Sequence, residues 1–172
     1  MELGGIVNFI AFRQAVAGYN RIKEKSKPIL TLIDFSKPST EKRFFVFDME
    51  KKQLLFSSVV SHGRNSGGNY ATSFSNQNGS YKSSLGFYLT ENTYQGGNGY
   101  SLILNGLEKG INDKAKERSI VVHGASYANP TVAASGRLGR SLGCPALPTK
   151  LAKPIINTIK DGSVMFIYAN NS

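Results

Sequence analysis

Seven short runs rich in β-branched and aromatic residues, each bounded by turn-forming residues, restrict what this chain can build. They are ILTLIDF (29–35), RFFVFDM (43–49), LLFSSVVSH (54–62), LGFYLT (85–90), YSLILNG (100–106), SIVVHG (119–124) and SVMFIY (163–168). Only two segments carry helical periodicity. Over residues 6–25, Ile6, Phe9, Val16 and Tyr19 recur near a 3.6 spacing, Arg13, Arg21, Lys23 and Lys25 lie mostly opposite, and Pro28 closes the run. Over 150–160, capped by Thr149, Leu151, Ile155 and Ile159 share a face and Gly162 follows the end. Seven strands and two helices predict a mainly β domain, a sandwich or a partly open barrel. The chain divides into an N-terminal helical extension, 1–28, and a β domain, 29–172. At 172 residues it buries enough surface to fold without a disulfide or metal.

Two long stretches lack periodicity, HGRNSGGNYATSFSNQNGSYKSS (62–84) and GASYANPTVAASGRLGRSLGCPALP (124–148). Structureless segments of that length in a compact domain are functional or disordered. The first is expected to form a mobile wall of a cleft, with Tyr70, Phe74 and Tyr81 packing it down or touching a ligand. The second holds Cys144, the single cysteine, between Gly143 and Pro145. A lone cysteine forms no intramolecular bridge, and as a type it is most often a small apolar filler. Its neighbours favour chemistry. Gly143 permits a sharp turn that aims its own amide and that of Cys144 at one point, an oxyanion hole beside a nucleophile.

A thiol attacks as the thiolate and needs a base. The chain has two histidines, His62 and His123, each ending an apolar strand and each followed by glycine. Spacing alone does not decide which one meets Cys144. His123 lies 21 residues before it across a single loop, which is the simpler geometry. The net charge of +10 favours anionic surroundings: nucleic acid, an acidic membrane or an anionic wall polymer. No aromatic–basic nucleic-acid motif, P-loop, dinucleotide fingerprint or metal-ligand spacing stands out, so neither cofactor nor metal is expected. No run is long and apolar enough to span a bilayer. The opening MELGGIVNFIAF lacks the basic head of a signal peptide, which leaves a cytosolic chain or one that begins after a removed signal.

VVHG, a Gly-rich loop, SLGC, a short helix, a glycine and a strand resemble the murein L,D-transpeptidases, the YkuD-like catalytic domain. IDFSKPSTEKRFFVFDM, SHGRNSG, SSLGFY, GLEKGIND, VVHGASY and GRLGRSLGCPALP resemble a distinct branch of that family, over about residues 29–169. The resemblance implies a β-sandwich with the N-terminal helix and one short helix after the cysteine. It implies a cysteine acyltransferase that acts on peptidoglycan stem peptides, releases terminal D-alanine and passes the acyl group to an amine, or to water as an L,D-carboxypeptidase. A catalytically idle wall-binding module is the rival reading. The implied roles are Cys144 as nucleophile, His123 as base, and the carbonyl of Gly124 orienting the imidazole. Ser141 and Gly143 frame the turn, and the amides of Leu142, Gly143 and Cys144 form the oxyanion hole. Many members carry histidine where this chain has Leu142, and arginine or asparagine where it has Ala146. Arg137 and Arg140 are the nearest substitutes for carboxylate recognition, with His62 and Tyr81 also expected at the substrate. The implied setting is a bacterial periplasm or cell envelope, as a monomer, with peptidoglycan rather than nucleic acid or an integral membrane segment as partner.

Overall fold

The structure is a computed structural model that describes residues 3–170; residues 1–2 and 171–172, the outer ends of the two expected ranges, lie outside the described residues. The strands are β1 (Ile29–Asp34), β2 (Phe44–Asp48), β3 (Gln53–Ser58), β4 (Gly86–Gly96), β5 (Gly99–Gly106), β6 (Val121–Gly124), β7 (Ala146–Leu147) and β8 (Val164–Tyr168). They form one sheet in the order β3-β2-β1-β8-β4-β5-β6-β7. Its pairs are antiparallel except β1–β8 and β6–β7.

The sheet curls until its two edges meet. The chain beyond β3 reaches Ser61, which bridges Ala146 of β7, and Gly63, which bridges Ser141. The curl encloses a core with Ile33 and Val46 from one half and Leu102, Leu104 and Val122 from the other. α3 (Thr149–Ile159) lays Ala152, Ile155, Ile156 and Ile159 into the same core. The mainly β architecture expected from the sequence is present, as one eight-stranded sheet curled on itself. Within it, α3 begins one residue earlier than expected. Pro148 holds the cap position, and the Thr149 amide is satisfied from outside the helix by Asn129 Oδ1 at 2.8 Å.

The N-terminal helix departs further. α1 (Phe9–Arg21) is shorter than the 6–25 run, and Asn8 caps it by accepting from the amides of Ile10 and Ala11. Its buried face is Ala11, Ala15, Gly18 and Ile22, while Phe9 is 69% exposed. Small residues face inward because α1 lies close on the outer face of β1 and β8. A methyl group on Gly18 would stand 2.0 Å from Phe87 Cζ. The 124–148 stretch also carries structure that its composition hides: a 3-10 turn (Ser126–Ala128), α2 (Pro130–Ala133) and β7.

Candidate active site

The meeting of the two sheet edges builds the site. Ser141 donates its amide to the His62 carbonyl at 2.9 Å and accepts the Arg64 amide at 2.8 Å, so the elbow that follows hangs on the chain beyond β3. Gly143 has φ +127°, a backbone region that disfavours side chains. A Cβ there would lie 2.9 Å from both the Lys82 carbonyl and Ile120 Cδ1. The Ser141 hydroxyl closes the turn, donating to the Cys144 carbonyl at 2.6 Å and accepting the Gly143 amide at 3.0 Å. Of the three amides expected in an oxyanion hole, that of Gly143 is thus engaged internally. Those of Leu142 and Cys144 have no acceptor among the described residues.

His123 sits on β6 directly beside this turn. Its Cα partner in the parallel ladder is Ala146, two residues after the cysteine. The imidazole Nδ1 lies 2.9 Å from the Gly124 carbonyl. A carbonyl only accepts, so Nδ1 carries a proton, and in the neutral ring the lone pair is on Nε2. Gly124 itself must be glycine-sized, since a Cβ there would lie 2.8 Å from Ala152 Cβ on α3.

The thiol of Cys144 is only 8% exposed. Its sulfur accepts the Val121 amide at 3.4 Å and points to the Ser119 carbonyl at 3.5 Å. No hydrogen bond joins it to His123 among the described residues. Burial pushes its pKa up, while the Val121 amide and the Arg118 cation pull in the opposite direction. Two neighbours that the sequence analysis passed over stand here. Tyr127 is half-buried against Gly139, and burial together with the charge of Cys144 raises its pKa to about 12. Arg118 donates to the Ser75 and Lys82 carbonyls and to the Ser80 and Ser84 hydroxyls. Tyr127 closes the VVHGASY block without its residue type announcing a role, and Arg118 lies outside every such block.

The other expected residues separate into rim and interior. Leu142 and Tyr81 are exposed, and Arg64 lies over the Tyr81 ring at 5.7 Å. Arg140 is exposed and donates to the Arg64 carbonyl at 3.1 Å, whereas Arg137 donates to its neighbour's carbonyl, Leu138. His62 does not face a cleft. It is 1% exposed, accepts from Arg43 at Nδ1 (2.8 Å) and donates from Nε2 to the Gly67 carbonyl (3.1 Å). With both ring nitrogens engaged it has none for a substrate, so the expectation of a binding role is corrected to one of support.

The 62–84 segment is likewise less loose than its composition implies. Ser66 and Ser83 are buried, the Ser66 hydroxyl accepts the Ser83 amide and the Ser83 hydroxyl the Gly63 amide, and Arg118 clamps residues 75–84. Phe74 stacks on Phe35 at 6.2 Å. Polar anchors replace the apolar ones it lacks. A cavity of about 670 Å³ between Phe74, Leu85 and the end of β8 is lined by neither Cys144 nor His123.

A curled, mainly β sheet whose joined edges hold a lone thiol beside a carbonyl-oriented imidazole defines the class of the domain. The chain belongs to the L,D-transpeptidase catalytic domain family, whose model matches residues 5–168. No curated protein sequence matches it. Among solved structures, it is similar to an L,D-transpeptidase from Mycobacterium tuberculosis H37Rv, at 15% identity and TM-score 0.52, covering 82% of this chain and 57% of that one. It is also similar to L,D-transpeptidase 3 from Mycobacterium tuberculosis in complex with a faropenem-derived adduct, at 15% identity and TM-score 0.50, covering 81% and 60%. An L,D-transpeptidase in complex with imipenem matches at 13% identity and TM-score 0.50, covering 82% and 59%. The chain spans less than two thirds of the length of these structures, and at such identities the likeness concerns the fold.

Proposed function

We propose that the chain is a cysteine acyltransferase that cross-links peptidoglycan stem peptides as an L,D-transpeptidase in the cell envelope. The observation that carries this reading is the His123 Nδ1–Gly124 carbonyl bond, which leaves the Nε2 lone pair free beside the Cys144 elbow. In the reaction, the thiol turns about Cα–Cβ from Ser119 and Val121 toward His123, and Nε2 takes its proton. The thiolate adds to the carbonyl of the third, L-centred stem residue. The developing oxyanion is received by the free amides of Leu142 and Cys144. Collapse breaks the bond to D-alanine, His123 protonates the departing amine, and a thioester remains on Cys144. An amine from a neighbouring stem gives a proton to His123 and attacks the thioester; the C–S bond breaks, Cys144 leaves and takes the proton back from His123, and the cross-link remains. Arg140, exposed at the rim, grips a stem carboxylate, with Arg137 as a second candidate.

Incubation with defined tetrapeptide stems followed by mass spectrometry of the products tests this. A dimer with loss of one D-alanine supports transpeptidation. A tripeptide alone makes water the acceptor and the protein an L,D-carboxypeptidase. Unchanged tetrapeptide with a fully reactive thiol supports the idle wall-binding module.

A further inference from the structure

Arg118 lies immediately before the two groups that hold the sulfur, the Ser119 carbonyl and the Val121 amide. Its guanidinium is fixed. Nη1 donates to the Ser75 carbonyl at 3.0 Å and the Ser84 hydroxyl at 2.7 Å, and Nη2 to the Ser80 hydroxyl at 3.1 Å and the Lys82 carbonyl at 2.7 Å. All four acceptors are neutral, and no carboxylate pairs with this cation among the described residues. Nη2 stands 3.4 Å from where a Cβ of Gly143 would be, one residue from the thiol. A planar fork with four acceptors on one loop is held far more rigidly than an ammonium on a flexible stem. The positive charge therefore stands beside the elbow without a counter-ion among the described residues.

We propose that Arg118 is a positioning residue that stabilises the Cys144 thiolate once it forms, while its fork clamps residues 75–84 against the elbow. The sulfur at rest is bonded on the Val121 and Ser119 side, next to Arg118 in the chain and with no hydrogen bond to His123 among the described residues. The titratable and charged groups around the thiol are Arg118, His123 and Tyr127. The phenol of Tyr127 ionises only near pH 12 and stays neutral below that. Burial and Arg118 act on the sulfur in opposite directions. The proposal rests on Cys144 as the reacting thiol, but its test reads ionisation rather than turnover, so the two can fail separately.

The test is the rate of iodoacetamide alkylation at Cys144, the only thiol, across pH in wild type, Arg118→Gln and Arg118→Lys. Below the thiol pKa the rate follows the thiolate fraction, and loss of a nearby cation shifts that fraction by about tenfold or more. Arg118→Gln is expected to react about tenfold more slowly at a given pH. Arg118→Lys, which keeps the charge, should recover most of that loss. A purely structural role predicts the opposite sign, because a loosened 75–84 segment exposes the sulfur and speeds alkylation in both variants. An Arg118→Gln rate equal to or above wild type overturns the proposal. If Arg118→Gln does not fold, the wild-type protein carries the test by NMR. The Arg118 Nε–H resonance should titrate with the thiol, and that step should vanish in Cys144→Ala. A resonance that ignores thiol ionisation overturns the proposal equally.

Discussion

Acidification should weaken the fold through His62 well before most carboxylates respond. Burial and the adjacent Arg43 cation lower the His62 pKa from 6.5 to about 4, with the Gly67 and Gly68 carbonyls opposing. Arg43 is itself fully buried. It donates to the Val60 and Lys37 carbonyls, lies over Phe35, and stays protonated at neutral pH although burial lowers its pKa to about 9. Between pH 6.5 and 4 the unfolded chain therefore binds a proton at His62 that the folded chain refuses. Stability is fully present above the upper limit and falls as pH drops through the window. At about 1.4 kcal/mol per pH unit the loss is about 3 kcal/mol. Urea unfolding followed by circular dichroism at intervals from pH 7 to 4 measures it. His62→Gln supplies the reference, because its amide can still accept from Arg43 and donate to Gly67 but does not titrate. Its starting stability should be lower, and its pH dependence flatter than wild type by that same amount. Superimposable pH dependences in the two proteins would refute the reasoning, because carboxylate contributions cancel in the comparison.

Four further outcomes follow from packing and the site. Gly143→Ala should leave the protein folded but slow acylation of Cys144 by about 100-fold, since φ +127° and the 2.9 Å approach to Lys82 force the elbow open; a near-wild-type rate in stopped-flow acylation would contradict this. Gly18→Ala should destabilise by about 1–3 kcal/mol in urea unfolding, because the new methyl meets the Phe87 ring, while iodoacetamide reactivity of Cys144 stays unchanged. Arg140→Ala should reduce kcat/KM on a carboxylate-bearing stem by about 1.5–3 kcal/mol in activation free energy, and by less on an amidated stem. Arg137→Ala should cost less than Arg140→Ala, because Arg137 is already turned onto the Leu138 carbonyl.

Legibility in the sequence followed how locally each feature is determined. β1, β2 and β8 are buried along nearly their whole length, so their unbroken apolar runs announce them. β7 is two residues between prolines and exists only because His123 and Ser61 flank it, which no local pattern encodes. The apolar spacing of Ile6 and Phe9 does not mark the buried face of α1, because both are large and apolar yet exposed. Its contact is set by how close Phe87 comes to Gly18. At the site, the Gly143 turn was readable from residue type, whereas the Gly124 carbonyl beside His123 came only as what the family resemblance implies. Burial of His62 depends on Arg43, and the placement of Arg118 depends on acceptors 34 to 43 residues away. Such pairings appear only once the sheet edges have met.

The central claim is that Cys144, assisted by His123, accepts an acyl group from a stem peptide. Intact-protein mass spectrometry with a carbapenem, followed by peptide mapping, tests it directly, because a strained acylating agent traps the thioester state without need of an acceptor. The account predicts one drug mass on the peptide containing Cys144, none in Cys144→Ala, and a rate about 10²–10⁴-fold lower in His123→Ala. A wild-type protein that stays unmodified after long incubation, or an adduct that persists in Cys144→Ala, would contradict it.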